Sequence, residues 1–485
     1  MQTHTTPMYK FKTKPYEHQK DALKKCWNKE AFAIFAEMGT GKTKIALDNA
    51  CILYNKGKID RLLVVAPKGA YMNWVDLEIP THVPDYINTK VLAWKPSTSA
   101  KYKAQLKDIM DLSDYRLKIM VMNVEAFSTK KGLNFAKLFL IGRSMVIVDE
   151  STTIKNPQAK RTKSMLSLAK EAKYRRIMTG SPVTQSPMDL WSQMDFLDPE
   201  ILGQSSFYAF RTRYAVMITA SAAGGTHKFQ KIVKFRNLEQ LGKLVSPHSY
   251  RILKKDCLDL PDKVFTKRNI ELSEEQQKAY QEMKANAMTV LKDKSMTAVN
   301  VLTQLIRLHQ ITCGHMKTDD DEVIELKNNR LNELMQILGE TTGKVIIWAN
   351  YIHDIHTIEK AIKEEFGSQS YCTYYGGTKQ EDRQACITKF QDKLNPIRFF
   401  IGNTQTGGYG ITLTQASTVI YYSNNYDLEK RMQSEDRAHR IGQKNKVLYI
   451  DLVAKGTVDE KIIQSLRNKV NIARQISGEE LVNWI

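Results

Sequence analysis

The chain has 485 residues, 42% of them hydrophobic, and carries 72 Lys and Arg against 52 Asp and Glu, a formal charge of +20. That length exceeds one ordinary domain and the hydrophobic share builds real cores, so two or three folded domains are expected and a disordered chain is excluded. The positive surplus makes a polyanion the leading partner, with solvated lysine faces as the plain alternative.

The opening MQTHTTPMYKFK has no apolar run behind its charges, which argues against a signal peptide. No uncharged apolar stretch is long enough to span a bilayer. A cytoplasmic protein with no membrane partner is expected. Six cysteines, at 26, 51, 257, 313, 372 and 386, show no CxxC spacing, and no second pair joins Cys313 and His315 to complete a zinc set. Buried free thiols in a reducing interior are the expectation.

PYEHQ (15–19) puts Gln19 ahead of a glycine-rich loop, where it could read adenine, although on these residues alone an ordinary turn is the better reading. AFAIFA (31–36) reads as a strand and KIALDNACILY as a helix, and AEMGTGKT (36–43) lies between them. That is the context of a phosphate-binding loop. Met38, Gly39, Thr40 and Gly41 would cradle phosphates with backbone amides at a helix N-terminus. Lys42 supplies charge for the outer phosphates and Thr43 a hydroxyl for Mg2+. Ala36 stands where the usual loop has its first glycine.

RLLVVA (61–66), RLKIMVM (116–122), SMVIVD (144–149) and RRIMTG (175–180) are further strand candidates, separated by helical or polar segments, the rhythm of a parallel doubly wound sheet. Two adjacent carboxylates end the strand SMVIVD. Asp149 suits the Mg2+-associated acid of a phosphate-loop ATPase, and Glu150 the base or positioner of an attacking water. The alternative, a structural acid pair at a sheet edge, is disfavoured by the phosphate loop upstream. TGSPV (179–183) offers small hydroxyls after the last of these strands, a weak signal alone.

From about 200 to 325 the pattern turns helical and the charge climbs, with eleven Lys and Arg against four Asp and Glu in 224–268. DDDE (319–322) reads as a solvated tip between helices. The strand rhythm returns in KVIIWAN (344–350), QSYCTYYGG (369–377), IRFFIGN (397–403), ASTVIYYSN (416–424) and VLYIDLV (447–453), giving a second α/β lobe. TQTGGYGITLTQAS (404–417) offers close backbone approach at Gly410 and hydroxyls suited to phosphate. QSEDRAHRIGQ (433–443) places Arg437 and Arg440 three apart on one helix face. Such arginines raise phosphoryl-transfer rates by roughly 10³–10⁵. A surface helix pairing them with Glu435 or Asp436 is the competing reading.

In order, AEMGTGKT, VDESTTIKN, TGSPVTQSPMDLWSQMDFLDP, GGYGIT and SEDRAHRIGQ resemble the Swi/Snf-type ATPases of helicase superfamily two, from Pro15 to about Lys469. Lys155 and Asn156 after the acid pair, the tail bearing Leu190, Trp191, Phe196, Leu197 and Pro199, SYRILKKDCLDLPDK (249–263) and RAHRIGQ followed by GTVDEKI (456–462) are specific to that family. The resemblance implies an α/β fold of two RecA-like parallel-sheet lobes in tandem with helical insertions between them. Lobe one would span 1–265, with a helical and basic insertion at about 200–255. Lobe two would span 266–485, with a helical protrusion at about 270–325 and a C-terminal helix at about 458–485.

It further implies an ATP- and Mg2+-dependent motor moving on the backbone of double-stranded DNA with little sequence preference. Lys42, Thr43, Asp149 and Glu150 would serve from lobe one. Arg437 and Arg440 would act as fingers from lobe two, Gln433 would open the last motif, and Gln19 would contact adenine. Lys68, Lys155, Asn156 and Thr412 fall in segments that face nucleic acid in the family. Ala36 replaces the family's aspartate before the loop's glutamate, and Ser151 and Thr152 replace a small residue and a histidine, so this is a variant motor.

With no room for bromodomain, chromodomain or finger domains, a minimal phage or prokaryotic member is expected, acting as a monomer in replication, repair or recombination. A strand-separating or branch-migrating helicase on forked DNA or RNA, and a non-catalytic DNA-binding module, are the rival readings.

Overall fold

The computed structural model describes residues 9–97, 99–221, 228–292, 298–318, 320, 322–407 and 411–477. Gly410 and two residues of the DDDE segment, Asp319 and Asp321, therefore lie outside the described residues. The chain divides into two compact units: residues of 1–215, 235–259 and 472–480 in the first, and of 216–234, 260–471 and 481–485 in the second.

The strands, in chain order, are β1 (Ala31–Ala36), β2 (Arg61–Ala66), β3 (Thr89–Ala93), β4 (Leu117–Asn123), β5 (Ser144–Asp149), β6 (Tyr174–Thr179), β7 (Ala215–Ser221), β8 (Lys228–Phe235) and β9 (Ser249–Ile252). There follow β10 (Lys263–Ile270), β11 (His315–Lys317), β12 (Val323–Glu325), β13 (Lys344–Trp348), β14 (Tyr371–Tyr374), β15 (Phe399–Gly402), β16 (Ala416–Tyr421) and β17 (Val447–Ala454). The first unit holds a seven-stranded sheet ordered β3-β4-β2-β5-β6-β1-β9. Every neighbouring pair in it is parallel. The second holds a six-stranded sheet ordered β10-β17-β16-β13-β15-β14, again parallel throughout. The two expected parallel-sheet α/β lobes are both present.

All ten expected strands form, most of them as the continuous apolar runs that a sheet covered on both faces requires, with the edge strand β14 the least apolar. In β13, Val345 and Ile347 join one apolar cluster while Ile346 and Trp348 join another, so alternate residues face separate cores. Three strands of the main sheets, β3, β9 and β10, are additional to those expected. All three are sheet edges. Four of the five residues of β3 and three of the four of β9 are only partly buried, and β10 is mostly exposed. An edge strand lacks the apolar run that announces an interior one.

The stretch expected to be helical and basic does hold the helices Phe207–Tyr214 and Leu238–Val245, but between them β7 and β8 form a two-stranded sheet. Val216, Ile218 and Thr219 in β7, with Ile232 and Val233 in β8, favour extended backbone over helix. Two long helices, Glu274–Lys292 and Ala298–Cys313, precede β11, and the helix Val458–Ser477 follows β17.

The cysteine expectation needs correcting. Cys372 of β14 and Cys386 of the helix Gln380–Gln391 form a disulfide with Cα atoms 5.7 Å apart. Cys26, Cys51 and Cys313 are buried free thiols as expected, and Cys257 is a half-buried one. A pair fourteen residues apart carries no motif. Only the packing of β14 against that helix brings the two together.

Candidate functional site

The turn after β1 is built by glycine. Gly39 and Gly41 have φ of 84° and 80°, a region that side chains disfavour. A Cβ on Gly41 would also stand 2.1 Å from Gln19 Nε2. The helix Lys42–Asn55 begins directly after this turn, with Lys42 buried and Thr43 half-buried in its first turn. Gln19 lies against the same loop. Its Oε1 accepts from the amide of Tyr16 at 2.9 Å, and its Nε2 faces the carbonyls of Thr40 and Gly41 at 3.4 and 3.5 Å. His18 Nε2 is 2.8 Å from the Thr40 carbonyl. Glu37, before Met38, accepts from the Lys254 amide at 2.8 Å, which ties the loop to the segment after β9.

β5 lies beside β6, and β6 beside β1, so the acid pair and the glycine-rich loop leave the carboxyl ends of nearby parallel strands. Ligands of open α/β sheets bind at that end. Lys42 Nζ is 3.1 Å from Glu150 Oε1, an ion pair with both side chains about nine-tenths buried. Thr179 Oγ1, at the end of β6, donates to Glu150 Oε2 at 3.3 Å. Glu150 itself adopts φ 48°, ψ 63°, one of two non-glycine residues with positive φ among those described. Strain of this kind costs about 1–3 kcal/mol and persists only where surrounding contacts impose it.

Asp149 accepts the indole N–H of Trp74 on Oδ2 and the Glu150 amide on Oδ1, both at 3.0 Å. Burial, and then the neighbouring Glu150 charge, push its carboxyl above the usual range, while Lys42 and the indole pull it back. A buried acid held at that cost favours a cation beside it.

Beyond the acid pair, Ser151–Ile154 form a 3-10 turn. Lys155 is half-buried, and its Nζ donates to Thr184 Oγ1 at 2.6 Å. Asn156 is exposed and caps the Gln158 amide at 2.9 Å. Lys68 is exposed in the turn after β2. Trp74, His18, Thr184 and Gln193 are site neighbours that motif spacing does not single out. For Trp74 the only sequence signal is an aromatic residue soon after a strand.

In the second unit, Gln433 and Arg437 lie on the helix Leu428–Ala438, but Arg440 is in the turn that follows it. The expectation of one helix face for both arginines is therefore corrected, because the helix stops at Ala438 and His439 leaves helical geometry. The two still converge. Arg437 Nη1 and Arg440 Nη1 donate to the same carbonyl, that of Ile411, at 3.1 and 3.2 Å. Arg437 is 2% exposed and also bonds the Gln433 carbonyl at 3.1 Å, whereas Arg440 is only partly buried.

Glu435 pairs with Arg431 at 2.9 Å and with Lys263 at 3.2 Å, and Lys263 also reaches Asp436 at 3.3 Å. Both acids of the competing surface-helix reading thus have other cations. Gln433 Nε2 bonds Glu429 at 3.2 Å, and its buried Oε1 has no partner among the described residues. Thr412, next to Ile411, is half-buried.

Residues 18–317 match the SNF2-related domain and residues 326–442 the helicase conserved C-terminal domain. An uncharacterized ATP-dependent helicase of Mycoplasma genitalium is 26% identical over 92% of this chain and 41% of its own length. A SWI/SNF chromatin-remodeling complex subunit of Schizosaccharomyces pombe is 26% identical over 90% of this chain and 26% of its own length. The chain thus spans less than half the length of either relative. A Sulfolobus solfataricus SWI2/SNF2 ATPase core solved with double-stranded DNA is 24% identical, with 98% of each chain covered and a TM-score of 0.43. Since the SNF2-related match alone takes in more than half of these residues, the chain belongs to the SNF2-related family of helicase-like proteins.

Proposed function

We propose that this chain is an ATPase whose turnover is driven by double-stranded DNA, along whose backbone it moves. The observation that carries the reading is the cluster of Lys42, Glu150 and Asp149 at the carboxyl end of a parallel sheet, beside a loop with two positive-φ glycines. Lys42 is the cation for the outer phosphates of ATP and Glu150 orients or deprotonates the attacking water. Asp149 and Thr43 fit a Mg2+ ion, which when bound neutralises phosphate charge. Gln19 and the loop from Met38 to Thr43 hold the nucleotide, with Gly410 as a further backbone contact. Arg437, Arg440 and Gln433 complete the set as charge-stabilising residues.

Double-stranded DNA as the track is the reading that the family and a formal charge of +20 support. Lys68, Lys155, Asn156 and Thr412 are its proposed contacts. No helix among the described residues is long and apolar enough to cross a membrane. We take the protein to work in the cytoplasm, as a monomer carrying every motif on one chain, in phage or prokaryotic DNA replication, repair or recombination. We further propose lobes of 1–265 and 266–485, a boundary that falls inside β10, whose residues all pair with β17 of the second sheet.

The test is phosphate release without nucleic acid, then with duplex DNA, single-stranded DNA and RNA. Strong stimulation by duplex supports the reading. Stimulation by single strands or RNA alone points instead to a strand-separating helicase, and absence of turnover with any of them to a DNA-binding module. With about six phosphates neutralised, log affinity for duplex is expected to fall against log salt with a slope near −5. A flat salt response would remove the backbone-gripping reading.

Trp74→Phe removes the N–H that Asp149 Oδ2 accepts together with part of a buried ring, so a melting curve accompanies the test. We expect the Mg2+ concentration for half-maximal turnover to rise by about tenfold, the lower end of what outer-shell partners of metal ligands contribute. Direct Mn2+ binding should weaken in parallel. Unchanged binding would make Trp74 a packing residue alone.

A further inference from the structure

Ser151 and Gln193 are both fully buried, and the Ser151 hydroxyl lies 2.7 Å from Gln193 Oε1. Gln193 Nε2 has two partners at 2.7 Å, the carbonyls of Pro182 and Asp189. Both are acceptors only, so the amide nitrogen must face them. The amide oxygen is then left to Ser151, which must donate. This polar link inside the protein is specified in one orientation.

The link is one side of a closed ring. Asp189 Oδ2 accepts from the Thr184 amide, the Thr184 hydroxyl and the Gln185 amide at 2.9, 3.1 and 2.8 Å. Thr184 Oγ1 in turn accepts from Lys155 Nζ. The 3-10 turn after the acid pair is therefore fastened to segment 182–193 at both ends, through Ser151 at its start and Lys155 just past its end. Segment 182–193 is itself stapled across by Gln193 and Asp189. The residue directly before Ser151 is Glu150, in its left-handed conformation. It is also held by Lys42, Thr179, the bond from its own amide to Asp149 Oδ1 at 3.0 Å and the backbone bond from the Thr153 amide to its carbonyl at 2.9 Å.

We propose that Gln193 is a positioning residue that holds the Glu150 turn through Ser151, and that the ring relays to Glu150 whether Lys155 is engaged by a phosphate of nucleic acid. Glu150 keeps its strained φ because Ser151 is fixed behind it. A polyanion drawing Lys155 away removes the donor to the Thr184 hydroxyl, which still donates to Asp189 Oδ2, and so weakens the Asp189 staple. That loosening reaches Gln193 and then Ser151, with no ionisable side chain at the position where the family has a histidine. The proposal rests on the ATPase reading.

The test compares Ser151→Ala, Gln193→Met and the double variant for kcat and KM of duplex-stimulated phosphate release, with melting curves for each. Each single change is expected to lower stimulated kcat about tenfold, and the double variant to fall no further than the worse single, as coupled partners do. The KM for ATP should move by less than about twofold, since nucleotide contacts are untouched. In a Lys155→Ala background, Gln193→Met should lower the stimulation ratio no further.

Ser151→Ala removes one oxygen and keeps the helix intact, so it tests the link even if Gln193→Met fails to fold. Multiplicative losses in the double variant, a rise in KM at constant kcat, or unchanged stimulation would each overturn the proposal while leaving the ATPase reading standing. A wild-type chain without phosphate release would overturn both.

Discussion

Glu150→Gln is expected to lower duplex-stimulated phosphate release by about 10²–10⁴-fold, the range of a positioned general base. The substitution keeps the size and the carbonyl oxygen that Thr179 Oγ1 reaches, so the geometry after β5 should persist. What is lost is the negative charge 3.1 Å from Lys42 Nζ. That loss takes one of two neighbouring carboxylate charges from a buried ammonium that Asp149 also faces, and ATP phosphates would supply the missing charge. Nucleotide affinity should accordingly hold or rise while turnover collapses. The measurement pairs phosphate release with binding of a fluorescent nucleotide. Retention of turnover within about tenfold would assign Glu150 to structure rather than to the attacking water.

Arg440→Ala is expected to cost roughly 10³-fold or more in turnover, in line with arginines that neutralise charge on a transferring phosphoryl group. Arg440 is the cleaner of the two arginines to remove. It is half-exposed, and one hydrogen bond such as that to Ile411 at 3.2 Å contributes about 0.5–1.5 kcal/mol. The fold should survive, and the melting curve should barely move. Arg437 is buried and bonds the carbonyls of Gln433 and Ile411, so Arg437→Ala should lower both turnover and melting temperature. If Arg440→Ala turns over at the wild-type rate, Arg440 is a loop tether. The finger role would then fall to Arg437 alone, tested with Arg437→Lys.

The two arginines also mark where sequence spacing misled. A spacing of three suggested a shared helix face, yet the helix ends between them at Ala438. Their convergence comes from a common acceptor, the Ile411 carbonyl, twenty-six residues before the first of them. The cysteines are a second case. Pairing of Cys372 with Cys386 is a product of strand–helix packing rather than of spacing, and composition pointed to free thiols throughout.

The amino-acid sequence by itself determined the two parallel α/β lobes, the glycine-rich turn after β1, the acid pair and the arginine segment. These are local properties. An interior parallel strand must be apolar along its length, and a loop that folds tightly around phosphates must carry glycine where φ is positive. Both requirements are written in consecutive residues such as AFAIFAEMGTGKT.

Tertiary structure alone decided what depends on distant partners. The edge strands β3, β9 and β10 are only partly buried, so their periodicity is weak and their neighbours define them. Trp74 meets Asp149 across 75 residues and Ser151 meets Gln193 across 42. A buried donor and acceptor so far apart leave no mark in residue spacing. The fold chooses which polar groups must satisfy one another once water is excluded.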